Sequence, residues 1–321
     1  MDERPKATDK TERPDISQLP PPKPMDNFMF AANFQSMDDA PAAQSLLSGI
    51  FLDSGRPAVV GVEELQSEKT ILGEGKLLRG VRLDVSVRDR NRYHNIECQL
   101  RALQDMADRM LLNSSRMLSL HTPAGAGYGE LPYVSVISLM NFVVRKTDDD
   151  FHQPFSLMYE RGERERATDR IGYHMLELPK FRRIVPDIRK QLHRWMYYFD
   201  RGYQNTDDPF MKEALKMDEG LNLFNERYQH NASDPIVRKA YYDYQMEMWD
   251  ERNRIDTARL EGMEKGMEKG MEKGMEKGME KGMKKGSAAI IRAMMKTMSV
   301  SEISAITNLT RTEIESFLKD F

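Results

Sequence analysis

The alternation of apolar and polar residues between positions 81 and 100 predicts a β-hairpin. The sequence of this stretch is VRLDVSVRDRNRYHNIECQL. Apolar residues occupy the odd positions of the first arm and the even positions of the second arm, and this period of two is typical of a strand with one buried face. The polar residues at 89–92 supply a turn between the arms.

Matching the apolar faces of the two arms predicts their register. A turn centred between Arg90 and Asn91 places Asp84 opposite Glu97, with Gln99 farther along the same polar face. Like charges in directly opposed positions are destabilising. Either both carboxylates extend into water, or a cation lies between them, because hard divalent ions prefer oxygen ligands. The pattern alone leaves both interpretations open.

Helical spacing of apolar residues predicts two helices before the hairpin and one after it. The two early helices contain Phe30, Phe34, Leu46, Leu47, Ile50 and Phe51. The later helix covers residues 103–120, and its buried stripe contains Leu103, Met106, Ala107, Met110, Leu111, Ser114 and Met117. Arg101, Arg109 and Arg116 lie on another side and are candidate DNA contacts. Acidic residues share that side, so a solvated face of mixed charge is the alternative.

The remaining pattern predicts more strands interleaved with helices. One strand covers residues 133–144, and two more flank a polar loop between residues 154 and 181. The segment 180–201 has seven Lys or Arg residues against two Asp, which makes Arg182 and Arg183 candidate phosphate contacts. Aromatic residues at helical spacing in this segment favour a core role over base stacking. This order of elements favours an α/β or α+β sheet domain.

The C-terminal region contains a tandem repeat followed by two short helices. GMEK occurs five times from Gly262 to Lys281, and a four-residue step makes the methionines spiral around a helix. Each glycine costs about 1 kcal/mol of helix stability relative to alanine, so residues 259–286 are predicted to form a semi-flexible helical spacer. Membrane or calmodulin-type binding is a less favoured interpretation.

Two capping boxes, Ser299 with Glu302 and Thr310 with Glu313, predict a small helical segment over 287–321. The spacing of its apolar residues suggests a helix-turn-helix. The second helix has little net positive charge for reading the major groove of DNA. Self-association or docking is an equally good interpretation of this segment.

Composition limits the class of protein. The chain has 321 residues, 40% hydrophobic and 31% charged, with a formal net charge of −3, which excludes a wholly basic nucleic-acid coat. Cys98 is the single cysteine, so a disulfide framework and zinc ligation by several cysteines are excluded and a reducing cytoplasm is expected.

Neither a signal peptide nor a membrane span is predicted. Residues 1–25 contain six prolines without an apolar run and are expected to be a disordered tail. The longest apolar stretch, 131–144, is interrupted by polar residues, which suits a buried strand better than a bilayer span.

Several segments taken together resemble the Rpn family of recombination-promoting nucleases, also described as putative transposases of the PD-(D/E)XK type. The similar segments are LLSGIF at 46–51, LDVSVRDRNRYHNIECQ at 83–99, GYGELPYVSVISLMNF at 127–142, ELPKF at 177–181 and the glycine-rich repeats. The resemblance extends over about residues 26–286. It implies an α/β fold in residues 26–258, with a central mixed sheet flanked by helices.

The resemblance also implies a metal-dependent DNA endonuclease linked to recombination or transposition. Its catalytic residues fall on Asp84, Glu97 and Gln99, and its metal ligands on Asp84, Glu97 and the backbone carbonyl of Cys98. Mg²⁺ is the expected ion, with Ca²⁺ or Mn²⁺ as alternatives. Gln99 stands where the wider superfamily usually has lysine. Arg109 is a candidate for steering a phosphate.

A second departure from the family pattern lies in NFMFAANF, where the family often has an Asp and a Lys. This chain has Asn27 and Ala31 at those positions, which puts its activity in doubt. A catalytically inactive DNA-binding or assembly protein on the same scaffold is therefore the alternative function. A cytosolic scaffold built on the repeats is the third interpretation, which leaves the opposed carboxylates unexplained.

The expected partners are DNA and a second copy of the chain, joined through the C-terminal helices. No membrane partner is expected.

Overall fold

The computed structural model describes residues 19–71, 81–102, 105–162 and 165–319. The chain divides into two compact units, Met1–Gln245 and Met246–Phe321. In chain order the helices are α1 (Asn27–Ala32), α2 (Ala40–Asp53), α3 (Met106–His121), α4 (Leu178–Phe181), α5 (Gln191–Asp200), α6 (Pro209–Met217), α7 (Glu219–Ser233), α8 (Pro235–Met294), α9 (Val300–Thr307) and α10 (Arg311–Lys319). The strands are β1 (Val62–Ile71), β2 (Val81–Asp89), β3 (Arg92–Gln99), β4 (Tyr133–Met140), β5 (His152–Phe155) and β6 (Ile171–Glu177).

A six-stranded mixed sheet organises the first unit, in the order β1-β2-β3-β4-β6-β5. The chain first forms an antiparallel β1-β2-β3 meander, and β3, β4 and β6 then run parallel. Strand β5 closes the far edge antiparallel to β6. The carboxyl ends of the three parallel strands therefore meet at one end of the sheet, where α/β folds commonly place their ligands.

The hairpin predicted between positions 81 and 100 is confirmed, and so is its register between residues 85 and 96. Val85 pairs with Ile96 and Asp89 with Arg92, and the turn places Arg90 in the left-handed region with φ of 51°. The described pairing of β2 with β3 ends at Val85 and Ile96. Asp84 and Glu97 are thus the first residues past the last hydrogen-bonded pair.

Helices cover the two faces of the sheet unequally. The larger core lies on the face that contains Val85, Val87, Ile96 and Cys98, where α1, α2, α5 and α7 contribute buried residues. Trp195, Tyr198 and Phe199 belong to this core, as their helical spacing indicated. The other face is covered by α3, whose Met106, Met110 and Met117 pack against β4 and β6. Leu103 of the predicted stripe lies outside the described residues, and the prediction is wrong for Ala107 and Leu111, which are exposed on α3.

Residues 19–25, which belong to the predicted tail, pack against helices of the first unit. The hydroxyl of Tyr228 donates to the carbonyl of Pro22 at 2.7 Å, and the Tyr242 hydroxyl donates to that of Pro20 at 2.6 Å. Met25 is buried. The described part of this segment is therefore folded onto the domain, while residues 1–18 lie outside the described residues.

The second unit contains the repeats and a small core of its own. All GMEK repeats lie within α8, and their methionine side chains are exposed. Ile291, Ile303 and Ile314 form a buried cluster where the end of α8 meets α9 and α10. Both predicted capping boxes are present: Glu302 accepts from the Ser299 N–H, and Glu313 from the Thr310 N–H, each at 2.8 Å.

Gly220 permits the close approach of α7 to α2. A Cβ at this position would lie 2.5 Å from the carbonyl oxygen of Pro41 and 2.5 Å from the Cβ of Ser45. A backbone oxygen cannot move aside without displacing α2. We therefore expect Gly220→Ala to lower the free energy of unfolding by about 1–3 kcal/mol, measured by urea denaturation.

Gly270→Ala is the matched control for this prediction. Gly270 lies in the exposed part of α8, where an added Cβ meets nothing within 4 Å. The same substitution should there raise local helix stability by up to about 1 kcal/mol. Equal stability of Gly220→Ala and the wild type would contradict the tight packing described for α2 and α7.

Candidate active site

Glu97 lies at the centre of a buried polar cluster beside the carboxyl end of β3. Its side chain has no solvent exposure. Oε1 accepts hydrogen bonds from Asn95 at 2.9 Å and from Asn113, while Oε2 accepts from Arg109 at 3.1 Å and from Gln99 at 3.5 Å. Because a buried charge is costly unless it is hydrogen-bonded and paired, these donors make the carboxylate tolerable in the interior.

Asp84 approaches the same point from β2. Its Oδ2 accepts a hydrogen bond from the backbone N–H of Cys98 at 3.1 Å, so the carboxylate reaches across to the residue that follows Glu97. In extended backbone the N–H and C=O of one residue point toward the same neighbouring strand. The carbonyl of Cys98, a predicted metal ligand, therefore points to the side on which Asp84 lies.

Two polar atoms near Glu97 have no hydrogen-bond partner among the described residues. They are Oγ of Ser138 and Oδ1 of Asn95, and both are buried. Ser138 lies beside Glu97 in the parallel pairing of β3 with β4. Buried polar groups in native proteins are satisfied by protein, water or ions, and leaving one unsatisfied costs about 1–3 kcal/mol. These atoms point to a hydrated or ligand-binding site at this position.

Three carboxylates act on the pKa of the Cys98 thiol. Burial raises this pKa well above its ordinary value, and the negative charges of Asp84, Asp26 and Glu97 raise it further, in that order. Each of these three acids is therefore close enough to Cys98 to act on it electrostatically. The sequence identified Asp84 and Glu97 but did not single out Asp26.

Asp26 is the N-cap of α1, where its side chain accepts from the N–H of Phe28 at 3.2 Å. Burial raises its pKa, and that hydrogen bond, a second one from Gln245 and the charge of Arg101 oppose the rise. Asp26 directly precedes Asn27, the position where the resemblance implies an acid. An Asp just before a helical pattern is a recognised N-cap signal. This signal would have identified Asp26 as the N-cap of the first helix.

The three arginines associated with α3 differ in their surroundings. The Arg109 side chain contacts Glu97 and is 41% exposed, and Arg101 acts electrostatically on Asp26. Arg116 lies seven residues beyond Arg109, about 10 Å along the helix. The structure thus joins Arg109 to the acidic cluster by a hydrogen bond, places Arg101 where its charge acts on Asp26, and leaves Arg116 farther along α3.

Arg182 and Arg183, the other candidate DNA contacts, pair with acids. Arg182 donates to Asp200 at 2.5 Å and to the side chain of Asn141 at 2.9 Å, and Arg183 donates to Asp149 at 3.1 Å. The positive charge of the segment 180–201 is therefore partly compensated locally. Their role in DNA binding stays a prediction.

The ELPKF segment forms a second buried charge cluster at the same end of the sheet. Glu177 ends β6, and its carboxylate lies 2.6 Å from the ammonium group of Lys180, with both side chains almost completely buried. The carboxylate also accepts from the N–H groups of Val144 and Arg145, and Lys180 contacts Asp148 at 3.2 Å. This cluster fixes the loop after β4 next to the carboxyl ends of the strands.

The donor set suits a hard divalent cation. Within the described ranges no group of three or more His, Cys, Asp or Glu side chains has an arrangement that could hold a metal ion. Mg²⁺ does not require a group of three such side chains, since it is commonly held by one or two carboxylates together with waters and substrate phosphates. Asp84 and Glu97, with the Cys98 carbonyl and the unpartnered Ser138 hydroxyl nearby, fit such an ion.

A family model described as a PD-(D/E)XK nuclease family transposase matches residues 24–258. No curated protein and no solved structure matches the chain. Across the described part of the chain, no helix is both long and apolar enough to pass through a lipid bilayer. The matched region contains the whole sheet, α3 and the acidic cluster.

Proposed function

The chain belongs to the PD-(D/E)XK nuclease family of transposases, and from this premise we propose that it is a metal-dependent DNA endonuclease. The observation that carries the proposal is the convergence of Asp84 and Glu97 next to Cys98, one step past the last β2–β3 pair. Two carboxylates so placed form an oxygen-rich site at the end of a rigid sheet. Recombination or transposition is the associated process that we propose.

Asp84, Glu97 and the carbonyl of Cys98 would hold the ion in this proposal. Mg²⁺ is the preferred candidate because it accepts few carboxylates and keeps several waters, and Mn²⁺ or Ca²⁺ would use the same oxygens. When bound, such an ion lowers the pKa of a coordinated water and neutralises charge on the phosphate. Asp26 is a third acid whose charge acts on Cys98.

The other side chains position the carboxylates and the substrate. Asn95 and Asn113 both donate to Oε1 of Glu97 and fix the orientation of its carboxylate. Gln99, which replaces the usual lysine, donates to Oε2 and supplies a neutral amide to orient the attacking water. Arg109 and Arg101 border the cluster and offer positive charge to the DNA backbone.

A catalytically inactive DNA-binding or assembly protein is the second candidate function. Two observations favour it: Gln99 supplies no positive charge, and Ala31 is a buried alanine at the position where the family often has lysine. An inactive protein would keep the scaffold and the basic border of the cluster while failing to cleave. DNA binding without metal-dependent cleavage would identify this function.

A plasmid cleavage assay tests the proposal. Purified protein is incubated with supercoiled plasmid in Mg²⁺, Mn²⁺, Ca²⁺ or EDTA, and nicked and linear products are separated by electrophoresis. We expect cleavage in Mg²⁺ or Mn²⁺ and none in EDTA. Cleavage that persists in EDTA, or no cleavage with any ion, would contradict a metal-dependent nuclease.

The same assay bears on oligomeric state. We propose that the chain forms a homo-oligomer through its C-terminal helices, because cutting both strands at once requires two active sites. Linear product that forms without a nicked intermediate is expected for paired chains, whereas isolated chains would give nicked plasmid first.

We also propose a cytoplasmic location, which suits a DNA substrate and the single buried cysteine, Cys98.

A further inference from the structure

Arg109 connects the buried carboxylate of Glu97 with the solvent. Its Nε donates to Oε2 of Glu97 at 3.1 Å, and its side chain is 41% exposed while that of Glu97 is fully buried. Among the described residues, the terminal nitrogens of Arg109 make no hydrogen bond. They are therefore available to an acceptor that arrives from solvent, and a guanidinium group suits a phosphate because it can donate two parallel hydrogen bonds.

Arg109 also differs from the other donors to Glu97 in its charge. Asn95, Gln99 and Asn113 are neutral amides, and they can remain on the carboxylate when it binds a second positive group. The Arg109 guanidinium cannot remain on the carboxylate as easily, because it would then lie next to the positive charge of the bound cation. A divalent cation held by Glu97 would therefore compete with Arg109 for this carboxylate.

We propose that Arg109 exchanges one anion for another during substrate binding. It neutralises Glu97 before a divalent cation binds there, and it turns to a phosphate of the DNA once Glu97 has become a metal ligand. This inference rests on the proposed function, since it takes Asp84 and Glu97 as the ion site. Linkage makes the effect reciprocal: DNA that holds Arg109 away from Glu97 strengthens ion binding, and the ion strengthens DNA binding.

The first test measures Mn²⁺ binding by titration calorimetry without DNA. Replacing Arg109 with a neutral residue removes the competing charge, so Arg109→Gln should bind Mn²⁺ about three- to tenfold more tightly than wild type, as expected for loss of a half-exposed ion pair. The same variant should bind a short DNA duplex more weakly in Ca²⁺. A general loss of structure would weaken both, so the opposite signs identify the exchange.

Arg227→Gln is the matched control. Arg227 is 37% exposed, and its Nε donates at 3.0 Å to the buried carboxylate of Asp39, which is not one of the proposed ion ligands. This ion pair has the same chemistry, so its loss should leave Mn²⁺ affinity within about twofold of wild type, because Arg227 does not occupy a carboxylate that would bind the ion. Arg109→Lys, which keeps the charge on a more flexible stem, should bind Mn²⁺ with an affinity between those of the wild type and Arg109→Gln.

A second measurement follows the wild-type chain during the titration, and a variant serves only to assign one resonance. The Nε–H resonance of Arg109, assigned as the one missing from ¹⁵N spectra of Arg109→Lys, should shift as Mg²⁺ is added. It should shift again when duplex DNA is added in Ca²⁺. An unchanged resonance at Mg²⁺ saturation would overturn the exchange.

The outcomes separate this inference from the proposed function. If Asp84→Ala and Glu97→Ala bind Mn²⁺ as tightly as wild type, the ion does not bind at this pair and the proposed site is wrong. If both lose binding while Arg109→Gln binds no more tightly than wild type, the exchange is wrong and the proposed ion site stands. Tighter binding by Arg109→Gln and a shifted Nε–H resonance would support the exchange.

Discussion

Glu97→Gln is expected to abolish plasmid cleavage while the protein remains folded. The substitution keeps the size of the side chain and removes the charge that would bind the ion. The new NH2 group replaces one oxygen, so it faces either Asn95 and Asn113 or Gln99 and Arg109, which are donors themselves. A bound ion contributes several kcal/mol of charge stabilisation. Loss of about 4 kcal/mol corresponds to a rate about a thousandfold lower.

The measurement is the initial rate of nicking in Mg²⁺, with circular dichroism melting as the test of folding. Glu64→Gln is the control: Glu64 lies on β1, and its exposed carboxylate pairs with Arg88 at 2.7 Å. This variant should nick at the wild-type rate, because surface ion pairs contribute little. If Glu97→Gln is folded and its initial rate of nicking is within tenfold of the wild-type rate, Glu97 is not part of the active site.

Lys180→Met is expected to lower the free energy of unfolding by about 3–5 kcal/mol, the cost of leaving a buried charge without its partner. Lys180 and Glu177 are 1% and 0% exposed, and their charged groups are 2.6 Å apart. Methionine fills a similar volume, so little of the loss would come from a cavity. Glu177 would retain the N–H groups of Val144 and Arg145 but no buried cation.

Urea denaturation followed by tryptophan fluorescence measures this effect, because Trp195 lies in the main core. Arg183→Met is the control: its ion pair with Asp149 is exposed on both sides, so its loss should cost under about 1 kcal/mol. The double variant Glu177→Gln with Lys180→Met should recover part of the stability, since it removes the uncompensated charge. If the free energy of unfolding of Lys180→Met is within 1 kcal/mol of the wild-type value, the buried charge of Glu177 does not need Lys180 to neutralise it.

The sequence by itself determined the parts of this protein that rest on local periodicity. The period-two pattern gave the β2–β3 hairpin and its register, Val85 opposite Ile96, because a one-residue slip would move every apolar side chain to the wrong face. Helical spacing identified the buried aromatic residues of α5, and the capping boxes identified α9 and α10. The family resemblance was confirmed by the match over residues 24–258.

The predicted strand from 133 to 144 was too long, because apolar character does not mark where a strand ends. Strand β4 ends at Met140, and the residues after it turn so that Val144 and Arg145 can donate to Glu177. That contact joins residues more than thirty positions apart in the chain. A pattern of neighbouring residues therefore cannot predict it.

Tertiary structure alone decided the surroundings of the two carboxylates. Asp26 caps α1, Asn113 lies on α3 and Ser138 lies on β4. Only the crossing of these elements brings them to the surroundings of Cys98 and Glu97. The sequence placed Arg109 on a helix face and left its partner open, whereas the fold pairs it with Glu97. Local sequence fixes periodicity and caps through neighbours along the chain, but a buried charge is satisfied by whichever donors the folded chain brings within hydrogen-bonding distance.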